Sequence, residues 1–259
     1  LKLQLSFLKD KEISKKMTND IDDMEKMLND YLQFASSQIN EKTESFEFDA
    51  IVIGAGIVGL AVAHELSRRY NNILVVEKES TFGRHVSSRN SEVIHSGLYY
   101  EPGSLKAKLC VRGNKLMYDF AEKYALNYKN CGKIIVVSDP DELEQLEALM
   151  QNGNQNNVDG LKMISGKEVT QREPIIKAAG GLAVPSTGII DSHSFMHKLE
   201  YLITSKDSSI VYNTEVSGIT CENEHYLLSF KDMDYAAKSK IVINSAGLWC
   251  DNVSRMVGI

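Results

Sequence analysis

An α/β fold is what this sequence predicts, and three observations carry the prediction. Within FDAIVIGAGIVGLAVAHELSRRYNNILVVE, residues 48–77, a short apolar run at Ala50 to Ile53 precedes a second at Ile73 to Val76. Between them Gly54, Gly56 and Gly59 stand in GxGxxG spacing, followed by an amphipathic segment to Tyr70. Glu77 closes the second run. Strand, glycine turn, helix, strand and acid in that order make a Rossmann-like βαβ unit, the arrangement that binds a dinucleotide.

Each piece has a physical task. The β-branched runs suit strands buried on both faces. Gly54 permits the tight turn out of the first strand, Gly56 lets a pyrophosphate approach the backbone, and Gly59 lets helix and strand pack closely. The free N–H groups at the start of the helix then face phosphate charge. Glu77, about 20 residues on, can accept hydrogen bonds from a ribose. A 2′-phosphate calls for an Arg nearby, and Lys78 is a weaker group for that task, so NADP is disfavoured. The run from Ala50 to Ala63 is too short for a bilayer, which needs about 20 residues, and its three glycines would weaken a plain helix. No transmembrane span is expected.

A chain of 259 residues can hold one large domain or two smaller ones. Its 43% apolar and 25% charged residues are those of a globular protein, and a net charge of −6 argues against a nucleic-acid partner. Cys110, Cys131, Cys221 and Cys250 form no CxxC pair and read as reduced thiols in an intracellular protein, outside any disulfide framework or zinc site. The chain begins at Leu1 without Met and shows no secretory signal.

Residues 1–45 differ in pattern. Ile13, Met17, Ile21, Met24, Leu28, Tyr31, Leu32, Ala35 and Ile39 recur at helical spacing, which predicts an extra amphipathic helix that packs on the protein or attaches loosely to it, with a membrane-surface or partner role as the alternative. The segment has many acids and no Arg, unlike a mitochondrial presequence. After Glu77 comes a polar loop, SSRNSEVIHSGLYY (residues 87–100), and then a helix from about Ser104 to Ala125. Lys133 to Val137 reads as a strand. Asp139-Pro140-Asp141-Glu142 and Ser165-Gly166-Lys167-Glu168 are helix starts of the capping-box type. Gly181 to Asp191 is strand-rich, and Asp191 can cap a helix carrying Phe195, Met196, Leu199 and Leu202. Strands follow around residues 210–212, 215–220, 226–230 and 241–244. The expected division is a helical extension over 1–45, a dinucleotide domain from 46–138 and 208–259, and part of an α+β substrate domain over 139–207.

The run SSRNSEVIHSGLYYEPGSLKAKLCVRG, with TGIIDSHSFM (187–196) and IVINSAGLWCDNV (241–253), resembles the L-2-hydroxyglutarate dehydrogenases, flavoproteins of the D-amino-acid oxidase-like superfamily. Arg89 and Glu92 resemble the plant-type variant, where many relatives have His and Gly. The likeness covers roughly residues 48–259 and stops short of the family's C-terminal portion, so the chain is expected to be a shortened form with an incomplete substrate domain. The resemblance implies FAD as cofactor, a mitochondrial location, and oxidation of L-2-hydroxyglutarate, a 2-hydroxy dicarboxylate, to 2-oxoglutarate with electrons passed to an unidentified acceptor. It further implies that Gly54, Gly56, Gly59 and Glu77 bind the ADP part. Ser88, Arg89, Asn90 and Ser91 would run beside the pyrophosphate and flavin, Val216 would present backbone to the adenine, and Ala246 and Gly247 would form a later turn near the cofactor.

Such an oxidation needs a base for the hydroxyl proton and cations for two carboxylates. His95 is the base candidate, since imidazole suits proton transfer near neutral pH; the alternative is a histidine bonded to backbone. Arg89, Lys106 and Arg112 are candidates for carboxylate contact, with phosphate contact or a solvated helix face as the alternatives. Tyr99 and Tyr100 could line the pocket or simply pack. His193 and His197 at i and i+4 lack the Glu and third ligand of a metal motif. Another superfamily substrate (an amino acid or glycerol 3-phosphate), a non-catalytic nucleotide-binding module, and a plain NAD dehydrogenase are the competing readings.

Overall fold

The computed structural model describes residues 44–222 and 224–259. Strand β1 (Glu44–Glu47) leads into β2 (Ala50–Ile53), helix α1 (Ile57–Leu66) and β3 (Ile73–Val76). The polar loop follows, then the short β4 (Val93–Ile94), the long α2 (Leu105–Lys123), β5 (Tyr128–Lys129) and β6 (Lys133–Val137). Next come α3 (Leu143–Gln155), β7 (Lys162–Ser165), α4 (Gly166–Arg172), β8 (Gly180–Val184), β9 (Gly188–Ile190) and α5 (Ser192–Thr204). The chain ends with β10 (Ser209–Val211), β11 (Val216–Glu222), β12 (His225–Phe230), β13 (Tyr235–Ser239), β14 (Val242–Asn244) and α6 (Cys250–Arg255).

β10, β3, β2 and β14 form a parallel sheet in that order. The first strand of the unit lies inside the sheet; later strands add to one side of it and then β14 to the other. That reversal between β2 and β14 is the switch point at which α/β sheets open a ligand crevice. Strand alternation divides the side chains between two layers. Ala50, Val52, Ile73 and Val75 pack with α1 and α5 through Leu60, Ala63, Phe195, Leu199 and Ile203. Ile51, Ile53, Leu74 and Val76 pack with the meander β11–β12–β13 and with Val253 of α6. Both faces are therefore covered, which is why β2 and β3 carry no polar residue.

The helix starts lie where the sequence places them. Asp139 with Glu142, and Ser165 with Glu168, form complete capping boxes. Asp191 accepts from Ser194 N at 2.9 Å, and the Ser194 hydroxyl and amide hold its carboxyl below the usual carboxylate range. Glu92, in left-handed backbone at φ 56°, adds a second cap to α5 by accepting from Ser192 N at 2.9 Å and Ser192 Oγ at 2.7 Å.

Two features depart from the sequence reading. The helix expected over residues 1–45 lies outside the described residues except for Glu44 and Ser45, which are strand and pair with Tyr235 and Ala236 of β13. The expected boundaries of the second unit also shift. β6 pairs with β8 in an antiparallel sheet of order β6-β8-β7, flanked by α3 through Leu146 and Leu182 and by α4 through Val169 and Ala183. α5, expected in the second unit, returns to the parallel sheet, where Leu199 and Ile203 are buried. Its apolar face matches α1 and the sheet, and Tyr212 beyond β10 donates a hydrogen bond to its Glu200.

Leu199→Ala should therefore cost about 2–5 kcal/mol of stability, the range for a truncated core leucine. Leu109→Ala on the exposed side of α2 should change stability by less than about 0.5 kcal/mol. Urea titrations that give equal midpoints for the two variants would contradict the placement of α5 in this core.

Candidate dinucleotide site

The three glycines of the turn have different neighbours, and these divide their roles. A Cβ on Gly59 would lie 1.9 Å from the Gly54 carbonyl oxygen, and one on Gly54, at φ +102°, would lie 2.5 Å from the Ser245 carbonyl oxygen. Both positions are closed by backbone, so a side chain at either breaks the packing of α1 on β2 or of β2 beside β14. At Gly56 the atom nearest a Cβ is Ser87 Oγ, 3.1 Å away. Gly56 is also the N-cap of α1 and offers no side chain to its amides. The space a Cβ would enter there is the cradle a pyrophosphate requires.

Glu77, 8% exposed, is anchored on both oxygens. Oε2 accepts from Ala55 N at 2.7 Å and Oε1 from Glu79 N at 3.0 Å. The acid thus ties the end of β3 to the glycine turn, a structural task beside the ribose contact expected of it. Carboxylates retain further lone pairs for a ribose hydroxyl. These residues fit a dinucleotide: a helix start whose N-cap brings no side chain, a glycine with no backbone closing over it, and an acid fixed at the next strand.

The polar loop approaches the same turn through a residue one place earlier than expected. Ser87 Oγ accepts from Ile57 N at 3.0 Å, in the first turn of α1. Ser88 and Asn90 instead brace the loop: Ser88 Oγ donates to His85 O, and Asn90 donates to Ser87 O at 2.9 Å while accepting from Glu92 N at 2.8 Å. Arg89 and Ser91 are exposed on this loop. Val216 is buried in the meander core. The Cα of Ala246 lies 3.3 Å from the Cβ position of Gly54, and Gly247 has φ +57° with open space around it, so the turn after β14 borders the glycine turn.

His95 lies outside this glycine turn, on the segment after β4. Its ring is exposed, whereas Ser96, Gly97 and Leu98 are buried. Side-chain amides grip the segment's carbonyls. Asn114 donates to His95 O at 3.1 Å, Asn156 to Gly97 O at 3.1 Å and Tyr100 O at 2.7 Å, and Asn152 to Leu98 O at 2.7 Å. Cys110 Sγ reaches His95 O at 3.6 Å; burial pushes its thiol pKa up, against the opposing charges of Lys106 and Lys133. Lys106 also lies over the Tyr100 ring, and Lys133 Nζ is 3.3 Å from the Tyr99 hydroxyl. Two ammonium groups therefore stand by the His95 segment. Lys133 was missed from sequence because it reads as an ordinary strand residue. Arg112 follows Lys106 by six helical positions, about 120° around α2, and lines a cavity of about 420 Å³ with Lys108, Lys115 and Asn156.

Comparison with known proteins gives a consistent account. A family profile described as FAD dependent oxidoreductase matches residues 49–259. The chain is 49% identical to the mitochondrial L-2-hydroxyglutarate dehydrogenase of Arabidopsis thaliana over 151 residues, 58% of this chain and 31% of that protein. It is 36% identical to the mitochondrial L-2-hydroxyglutarate dehydrogenase of Homo sapiens over 223 residues, 82% of this chain and 48% of that protein. The chain thus spans less than half the length of these two curated relatives. Among solved structures, the L-alpha-glycerophosphate oxidase of Mycoplasma pneumoniae, reduced by dithionite and with FAD bound, superposes with a TM-score of 0.75. That match is at 28% identity over 82% of this chain and 57% of that one.

The glycine geometry separates two kinds of defect. Gly56→Val should keep the fold and abolish flavin retention, whereas Gly59→Ala should lose at least about 1–3 kcal/mol of stability, the range for overpacking. Flavin absorbance per protein together with a urea midpoint distinguishes them, and a flavin-loaded Gly56→Val variant would overturn the cradle. Glu77→Gln turns one anchored oxygen into an NH₂ group facing a backbone N–H. It should cost about 1–3 kcal/mol of stability as well as weaken flavin binding, which parallel thermal and flavin titrations measure.

Proposed function

The chain belongs to the FAD-dependent oxidoreductase family, and from that premise we propose that it oxidises L-2-hydroxyglutarate to 2-oxoglutarate and passes the electrons to a separate acceptor. The observation that carries the substrate reading is an exposed imidazole, His95, on a segment gripped by asparagine amides and flanked by Lys106 and Lys133. A five-carbon dicarboxylate asks for two cations and one base; His95 would be the base, and Lys106 of α2 and Lys133 of β6, which contact Tyr100 and Tyr99 of the segment, would be the cations. When bound, FAD accepts the hydride that the carbinol carbon gives up.

His95 takes the hydroxyl proton, so that the departing hydride leaves a neutral carbonyl. Lys106 and Lys133 hold the carboxylates as point charges, and Arg89, exposed on the loop beside the glycine turn, stands nearer the phosphates in this reading. Gly54, Gly56, Gly59 and Glu77 orient the ADP part, with Ser87 bracing the start of α1. Ser88 and Asn90 keep the loop in register, Ala246 and Gly247 lie on the turn that borders the glycine turn, and Val216 lies in the meander core. Among the described residues no helix is long and apolar enough to cross a membrane. We place the protein with its plant and human relatives, whose names put those proteins in mitochondria.

In flavin-loaded protein, L-2-hydroxyglutarate should bleach the flavin band without any added acceptor. The D isomer, glutamate and glycerol 3-phosphate should not. Bleaching by glycerol 3-phosphate instead would move the substrate to that of the glycerophosphate oxidase likeness. His95→Gln should slow bleaching by at least about a hundredfold with normal flavin content, and a near-parental rate removes His95 as the base.

A further inference from the structure

A concentration of positive charge on α2 is left unused by the reading above. Lys108, Arg112 and Lys115 follow one another at spacings of four and three, so they share one face of the helix. Like charges so placed repel unless something neutralises them. Lys115 has a counter-charge, Asp159, at 3.1 Å. Lys108 and Arg112 form no ion pair or side-chain hydrogen bond among the described residues. All three line the cavity of about 420 Å³ that also meets Gln155, Asn156 and Asn157 at the end of α3. One of these, Asn156, is only 7% exposed. Its Nδ2 donates to Gly97 O at 3.1 Å and Tyr100 O at 2.7 Å, which fixes the orientation of the amide. Oδ1 is the atom left over, and it is buried with no hydrogen-bond partner. A buried acceptor without a donor is costly and calls for an explanation.

We propose that this cavity binds inorganic phosphate, held by Lys108 and Arg112 and donating its own P–O–H to Asn156 Oδ1. Cations alone would accept any anion, and the added acceptor selects one that still carries a proton. Inorganic phosphate keeps an O–H near neutral pH. Sulfate, of the same shape, has none, and a phosphate ester has mostly lost its last proton there, with a second pKa of about 6. Arg112 offers a fork of donors to two phosphate oxygens, and Lys108 a point charge. Occupancy reaches the His95 segment through one side chain. A donor on Oδ1 polarises the amide and strengthens both Nδ2 bonds, so bound phosphate stiffens the stretch from Gly97 to Tyr100 that follows His95.

Calorimetry with inorganic phosphate on the flavin-loaded protein tests the site, because the cofactor then occupies the glycine turn. Phosphate should bind at one saturable site. Sulfate at equal ionic strength should bind at least about tenfold more weakly, the cost of facing a buried acceptor without a proton. Arg112→Gln should weaken phosphate binding about 10- to 100-fold, the range for a lost hydrogen bond to a charged group, and Lys108→Gln by a smaller factor. Both residues are exposed, so these variants should fold as the parent does. Phosphate should also slow hydrogen exchange at the amides of residues 97–100 in the parent, and should not in Arg112→Gln. No saturable phosphate binding, or unchanged affinity in Arg112→Gln, overturns the site. Sulfate that binds as tightly as phosphate overturns the role of Asn156 and leaves an adventitious ion only. Phosphate binding with unchanged exchange overturns the coupling to the His95 segment.

Discussion

A Cβ on Gly59 would lie 1.9 Å from the Gly54 carbonyl oxygen, and the site depends on that backbone approach. It seats α1 directly against the end of β2, so that Leu60 and Ala63 reach the sheet and the first amides of the helix face the crevice. Ser245 presses on the same place from β14, with its carbonyl oxygen 2.5 Å from the Cβ position of Gly54. Two segments distant in sequence thus converge on one turn. Glu77 completes the arrangement by accepting from Ala55 N. Packing closes Gly54 and Gly59 with backbone and fixes Glu77, whereas at Gly56 the only close neighbour among the described residues is a serine hydroxyl.

The His95 segment is held by a different device. Its carbonyls have no strand partner beyond β4, and a buried carbonyl without a donor is costly. Asn114, Asn152 and Asn156 supply donors from two helices. Asn114 also donates to Ser186 O at 2.8 Å, which ties this segment to the turn between β8 and β9. The amides fix a stretch of irregular backbone as firmly as a sheet would, while leaving His95 and Tyr99 outside. Gly97, at φ +92° and with a Cβ position 2.7 Å from Val111 Cγ2, allows α2 to close on it. A site built on such a segment gains precision from neighbours instead of from its own secondary structure.

The way the chain returns to its parallel sheet explains the division of the molecule. After β9 it enters α5 and β10 before building the meander, so the face opposite the meander is covered by helices from distant parts of the sequence. The sheet of β6, β7 and β8 grows outward between these two visits. The parallel sheet is therefore built from two separated stretches of the sequence.

Periodicity, capping chemistry and the glycine spacing were enough to read the βαβ unit, the capping boxes at Asp139 and Ser165 and the Asp191 cap from sequence alone. Each is a local signal, fixed by residues within one or two turns of one another. β13 was illegible because Tyr235–Ser239 contains two alanines and no β-branched residue; it is a strand because β12 and β1 pair with it. Lys133, Ser87, Trp249 and the three asparagines carry no local signature either, since each acts on a partner many residues away. The sequence by itself determined the cofactor-binding unit and its family, because a phosphate turn must be built from neighbouring residues. Only the tertiary structure decided which glycine keeps open space beside it, which cations stand at Tyr99 and Tyr100 and that Lys78 meets Trp249 across β2, because those contacts are set by strand order and by burial.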